Sequence, residues 1–107
     1  REFDCPFEWA AHEPIAREEG VTDETIEAVA SRAPIDAFAD ADGLVVRYAR
    51  ELLEDHAIAE ETFEAAKERF GVQGVTDLTA TVGFYSLIAC VLNAFEVLPD
   101  EGAPELP

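Results

Sequence analysis

Apolar residues in this chain recur three and four positions apart almost from end to end. Leu44, Val45, Tyr48, Leu52 and Leu53 make one such stripe, and Phe63, Ala66 and Phe70 another. That spacing gathers side chains on one face of a helix, whereas a half-buried strand alternates every second residue. No stretch alternates well enough to compete. The pattern predicts an all-α protein, a small helical bundle of about five helices. Residues 1–98 are expected to form one helical domain, and 99–107, "PDEGAPELP", an acidic flexible tail.

Capping residues, prolines and glycines divide the stripes. The first helix is expected to begin near Asp4, which can cap it, with Pro6 in the tolerated first turn, and to end near Gly20. Pro14 lies inside that span and should kink it next to His12, because its ring clashes with the carbonyl four residues back. A second helix starts at Thr22-Asp23-Glu24, a cap followed by acids in the first turn, and fades before Pro34. "RAPIDAFADADG" reads as a loop. A third helix runs from about Ala41 to His56, and a histidine at that end suits the helix dipole better than it suits a ligand. A fourth, from about Ala59 to Phe70, should bury Phe63, Ala66 and Phe70 and stop at Gly71. A fifth, from about Val75 to Leu98, is apolar on more than one face, as a central or subunit-contact helix is.

Charge narrows the partners. Twenty-four acidic against seven basic residues give a net charge of −17, and Lys67 is the only lysine. Such a field repels phosphate backbones and anionic lipid, so neither nucleic acid nor a membrane is expected. With 49% apolar residues in periodic order, the charge does not mean disorder. It fits a cytoplasmic protein of a salt-loving organism, where screening relieves the self-repulsion. Two cysteines are too few for a disulfide framework. The most apolar run, Ala80 to Leu92, is shorter than the roughly 18 residues of a membrane span.

Chemistry concentrates in "CPFEWAAH", residues 5–12. On a helix Cys5, Glu8 and His12 line up, spaced by three and then four, with Trp9 beside them and Ile15 and Ala16 extending the stripe inward. A carboxylate on an apolar stripe needs a partner, and His12 is within reach. A carboxylate that orients an imidazole makes a unit able to give and take protons. A thiol in the first turn of a helix sits where the dipole favours thiolate. Each group also has a structural reading: Glu8 and His12 as an ion pair that locks the fold, Cys5 as a small apolar filler, Cys90 likewise on the most apolar helix. No metal ligand set of telling spacing accompanies Glu8 and His12, and no phosphate loop or nucleophile elbow is present. No cofactor is expected.

On "FEWAAHEPIAREEGVTDETIEAV", residues 7–29, and on the late apolar helix with "FYSLIACVLNAF", the chain resembles the carboxymuconolactone decarboxylase family, which includes the alkylhydroperoxidase D-like proteins. The peroxidase branch carries Cys-x-x-Cys-x-x-x-His. Cys5 matches its first cysteine and His12 its histidine, but Glu8 stands where the second cysteine would be. A dithiol cycle then lacks its local resolving sulfur. The resemblance implies an all-helical trimer or hexamer. It also implies a cofactor-free lyase or isomerase acting on a small carboxylated or lactone substrate, with His12 as proton donor, Glu8 orienting it and Cys5 beside them. A hydroperoxide reductase using Cys5, and a non-catalytic structural domain, are the competing expectations. Relatives carry a helix before the motif, so a segment upstream of Arg1 is expected to be missing.

Overall fold

The computed structural model describes all 107 residues and is helical without a strand. Four α-helices follow one another: α1 (Pro6–Glu18), α2 (Asp23–Ala30), α3 (Asp40–Arg50) and α4 (Glu60–Ala94). A 3₁₀ turn (Ile35–Ala37) precedes α3 and a π-helical turn (Glu51–Asp55) follows it. The count is four rather than five because the chain re-enters a helix directly after Gly71. That residue takes φ 71°, ψ 173°, so the break expected there exists, as a bend inside α4 rather than as a loop. Two compact units result: Arg1–Pro34 with Ser86–Pro107, and Ile35–Tyr85.

In the first unit α1 starts as its proline dictates, with Pro6 at the first helical position and Cys5 extended before it. Asp4 does not cap the helix. Its backbone is left-handed (φ 45°), and its carboxylate is held instead by Arg1 and by Arg32, the latter at 3.0 Å. Arg1 Nε also donates to the Ala30 carbonyl at 2.6 Å, and Asn93 Nδ2 donates to the Phe3 carbonyl at 2.8 Å. The entry segment is thereby tied to the end of α2 and to α4. Thr22 caps α2 as expected, its hydroxyl accepting from the Thr25 N–H at 3.2 Å.

Three helix ends in this unit close the same way. The N–H groups of Val21, Ala33 and Val97 each reach back five residues, to the carbonyls of Ala16, Ala28 and Leu92. Those of Gly20, Arg32 and Glu96 reach back three. These are Schellman closures, which place one residue in the left-handed region. Gly20 does this freely, whereas Arg32 (φ 54°) and Glu96 (φ 51°) do it with a Cβ. Cys5, Ala10, Ile26, Ala28, Ala30 and Ala89 are the buried apolar side chains. Ile15, expected to point inward, is 50% exposed.

The second unit packs around Tyr48, Ala66 and Val75, with Leu52, Ile58 and Leu78 against them. Thr79 donates its one hydroxyl proton to the Val75 carbonyl at 2.8 Å, so the buried Tyr48 hydroxyl donates to Thr79 at 2.7 Å. Past the π-helical turn His56 adopts φ 57° and ends the segment, in the place the sequence assigns it. Glu51 folds back from that turn to accept from the Ala59 N–H at 2.9 Å and from the hydroxyl of the buried Thr62 at 2.7 Å. It therefore satisfies the start of α4 from a distance. Phe63 and Phe70 are not buried as expected. They stand 39% and 37% exposed, while Thr62 and Ala66 are the side chains of that stretch that are buried.

Beyond the bend α4 is apolar and largely uncovered. Phe84, Leu87, Val91, Phe95 and Leu98 are all among its exposed side chains or those just after it. The helix contains an 18-residue window of mean hydropathy 1.6, of which 11% is buried. By length and composition alone it is long enough to cross a membrane, longer than the Ala80–Leu92 run indicated. A single such helix is weak evidence for a span.

Candidate functional site

The sequence places Cys5, Glu8 and His12 on one side of the first helix; the helix forms over Glu8 and His12, whereas Cys5 stands extended just ahead of it and not in its first turn. Pro6 fixes the start, and Glu8, in the first turn, complements the dipole. Glu8 and His12 meet through a backbone hydrogen bond, and the charge of His12 also acts on the Glu8 carboxyl. The Nδ1 atom of His12 lies 2.8 Å from the main-chain carbonyl of Glu8. A carbonyl oxygen only accepts, so Nδ1 carries the proton and donates. The ring is thus oriented by the backbone one turn earlier, and in the neutral imidazole Nε2 bears the lone pair.

The Glu8 carboxyl has a different environment. Its side chain is half-buried, and Oε1 is shut off from solvent with no hydrogen-bond partner in the protein. Burial pushes this carboxyl above the usual value of 4.5, and the charge of His12 opposes the shift. His12 itself is exposed on the isolated chain. The pair therefore spans a boundary, with a carboxyl on the protein side and an imidazole on the solvent side.

Cys5 is 4% exposed and makes no side-chain capping bond. Both cysteines are free thiols; Cys90, expected as filler, is exposed. No group of three or more His, Cys, Asp or Glu side chains is placed to hold a metal ion. A hollow of about 460 Å³ opens at the start of α1, lined by Pro6, Leu92, Asn93, Glu96, Val97 and Leu98, and by neither Glu8 nor His12.

Sequence reasoning missed the bond from Arg32 to Asp4 and the bond from Asn93 to Phe3. These join residues 28 and 90 positions apart, and no local pattern marks them. The bond from the His12 ring to the Glu8 carbonyl was within reach of the sequence, since the fourth residue back is the one whose carbonyl lies beneath a helical side chain.

Fold and site define an all-α protein whose first helix presents an imidazole one turn after a half-buried carboxyl and two turns after a buried thiol. Comparison with known proteins adds no name to that class: no family model, no curated protein and no solved structure matches the chain.

Proposed function

We propose that the protein is a carboxymuconolactone decarboxylase-like enzyme, a cofactor-free lyase or isomerase for a small carboxylated or lactone substrate, with His12 as its proton carrier. The observation that supports this best is the bond from His12 Nδ1 to the Glu8 carbonyl. It fixes the ring and directs proton traffic through Nε2. In the decarboxylation, the bond from carbon to the substrate carboxylate breaks and carbon dioxide leaves. The electron pair passes into the conjugated carbonyl of the ring. The protonated imidazole then delivers its Nε2 proton to carbon and is recharged from water. Fixing the donor in advance is what an enzyme adds to such a step.

The working form is a homo-oligomer, a trimer or hexamer. Leu87, Val91, Phe95 and Leu98 follow one another four, four and three residues apart and are 49–79% exposed. An apolar row of that kind is the usual mark of a surface that other chains cover.

Turnover of a γ-lactone carboxylate by the His12→Ala variant should fall about 10²- to 10⁴-fold. Far-ultraviolet circular dichroism should be unchanged, because the ring is exposed and leaves no cavity. A variant as active as the parent would refute the assignment.

A further inference from the structure

We infer that the elbow of α4 is a binding site for a small apolar monocarboxylate, an anion with one carboxylate on an aromatic or branched aliphatic body. A hollow of about 420 Å³ opens there, lined by Phe63 and Lys67 ahead of Gly71 and by Val72, Val75, Thr76 and Thr79 beyond it. On a straight helix Phe63 and Thr79 would stand about 24 Å apart, too far to share a hollow of that size. The bend at Gly71 brings them to one concavity. Its volume lies within the range of small-molecule sites. Every lining residue belongs to the second unit, so neither Glu8 nor His12 takes part.

The lining selects the ligand. Val75 is buried and joins the hollow to the Tyr48–Ala66–Val75 cluster, while Phe63 and Val72 are exposed. The two hydroxyls have no proton to give. Thr76 donates to the Val72 carbonyl and Thr79 to the Val75 carbonyl, each at 2.8 Å. Lys67, the chain's only lysine, is then the side-chain donor of the hollow. Its Nζ donates to Glu64 at 2.7 Å, which uses one of three N–H bonds, and lies 5.9 Å from the centre of the Phe63 ring. Two N–H bonds remain for an acceptor, beside an aromatic face that takes the ligand's body. The pair with Glu64 is exposed, and such pairs are weak. A carboxylate that also buries apolar surface can therefore share the lysine or take it. No carboxylate lines this hollow, whereas Asp36 and Asp40 line the one beside Arg47 and Glu96 lines the one at the start of α1. One donor group admits one carboxylate, since a second charge on the ligand would be left without a partner.

The test titrates benzoate, and benzamide as its uncharged counterpart, into the full chain at constant ionic strength, following the methyl resonances of Val72, Val75, Thr76 and Thr79. Benzoate should shift these methyls together and saturate them, and benzamide should bind about tenfold more weakly. Lys67→Met, which keeps an apolar stem, should weaken benzoate about tenfold and leave benzamide nearly unchanged. Glu64→Gln should tighten benzoate severalfold, because the lysine loses its competitor. Equal affinity of the parent for benzoate and benzamide would overturn the assignment, and that comparison needs no substitution. So would a Lys67→Met variant that binds benzoate as the parent does, or methyls that stay in place up to the solubility limit of benzoate.

Discussion

At position 8 the two oxygen-bearing groups of one residue stand in different surroundings. Its carbonyl holds the His12 ring, and its carboxyl lies half-buried with one oxygen unpaired. Stability and pH are linked through that carboxyl. Its folded-state value is raised above the unfolded one by burial. Its favourable contribution is therefore complete below the usual 4.5 and is lost as the pH rises through the raised value. Glu8→Gln, which cannot ionise, should melt above the parent at pH 7, and the gap should close as the pH falls below 4.5. Thermal denaturation of the two proteins across that range checks it.

Among the elements, α4 carries the feature that local pattern and global fold treat differently. A glycine after an apolar stripe usually ends a helix. Here Gly71 ends one helical run and starts the next, in a backbone region that is essentially closed to other residues. Nothing lies within 4 Å of where a Cβ would stand, so the cost of a side chain there is backbone strain and not a clash. Gly71→Ala should lose about 1–3 kcal/mol, read by chemical denaturation, without disturbing the Tyr48–Ala66–Val75 cluster. The contrast with Gly74 is instructive. Its backbone is helical, but a Cβ would meet that of Phe70 at 2.6 Å, so there the objection is steric.

For the molecule as a whole, charge and apolar surface set the conditions of stability. A net charge of −17 on 107 residues repels itself over a distance set by salt. The screening length is about 8 Å at 0.15 M and about 3 Å at 1 M. The melting temperature should therefore climb as potassium chloride is raised from 0.1 M to above 1 M, and a flat or falling curve would count against the salt-loving reading. The same salt favours burial of the exposed row on α4. In high salt the protein should elute and scatter light as an oligomer, and the double substitution Leu87→Glu with Val91→Glu should return it to a monomer with its helicity intact. If the row instead seeks lipid, the parent chain will float with neutral vesicles, and the oligomer proposal falls.

Local physics was legible in the residues themselves. Helical periodicity, the Thr22 cap, Pro6 at a helix start, the helix ends near Gly20 and His56, and the one-turn spacing of Glu8 and His12 all depend on neighbours within about five positions. Such relations are written in order along the chain. What only the tertiary structure decided involves partners far apart in sequence. It drew Asp4 away from capping α1 toward Arg32. It buried Tyr48 and Val75 while leaving Phe63 and Phe70 half-exposed, and it bent α4 at Gly71 without ending it. It also enclosed Oε1 of Glu8 with no protein donor beside it. Burial depends on what packs from elsewhere in the chain, and a hydrogen bond across 90 residues leaves no period to read.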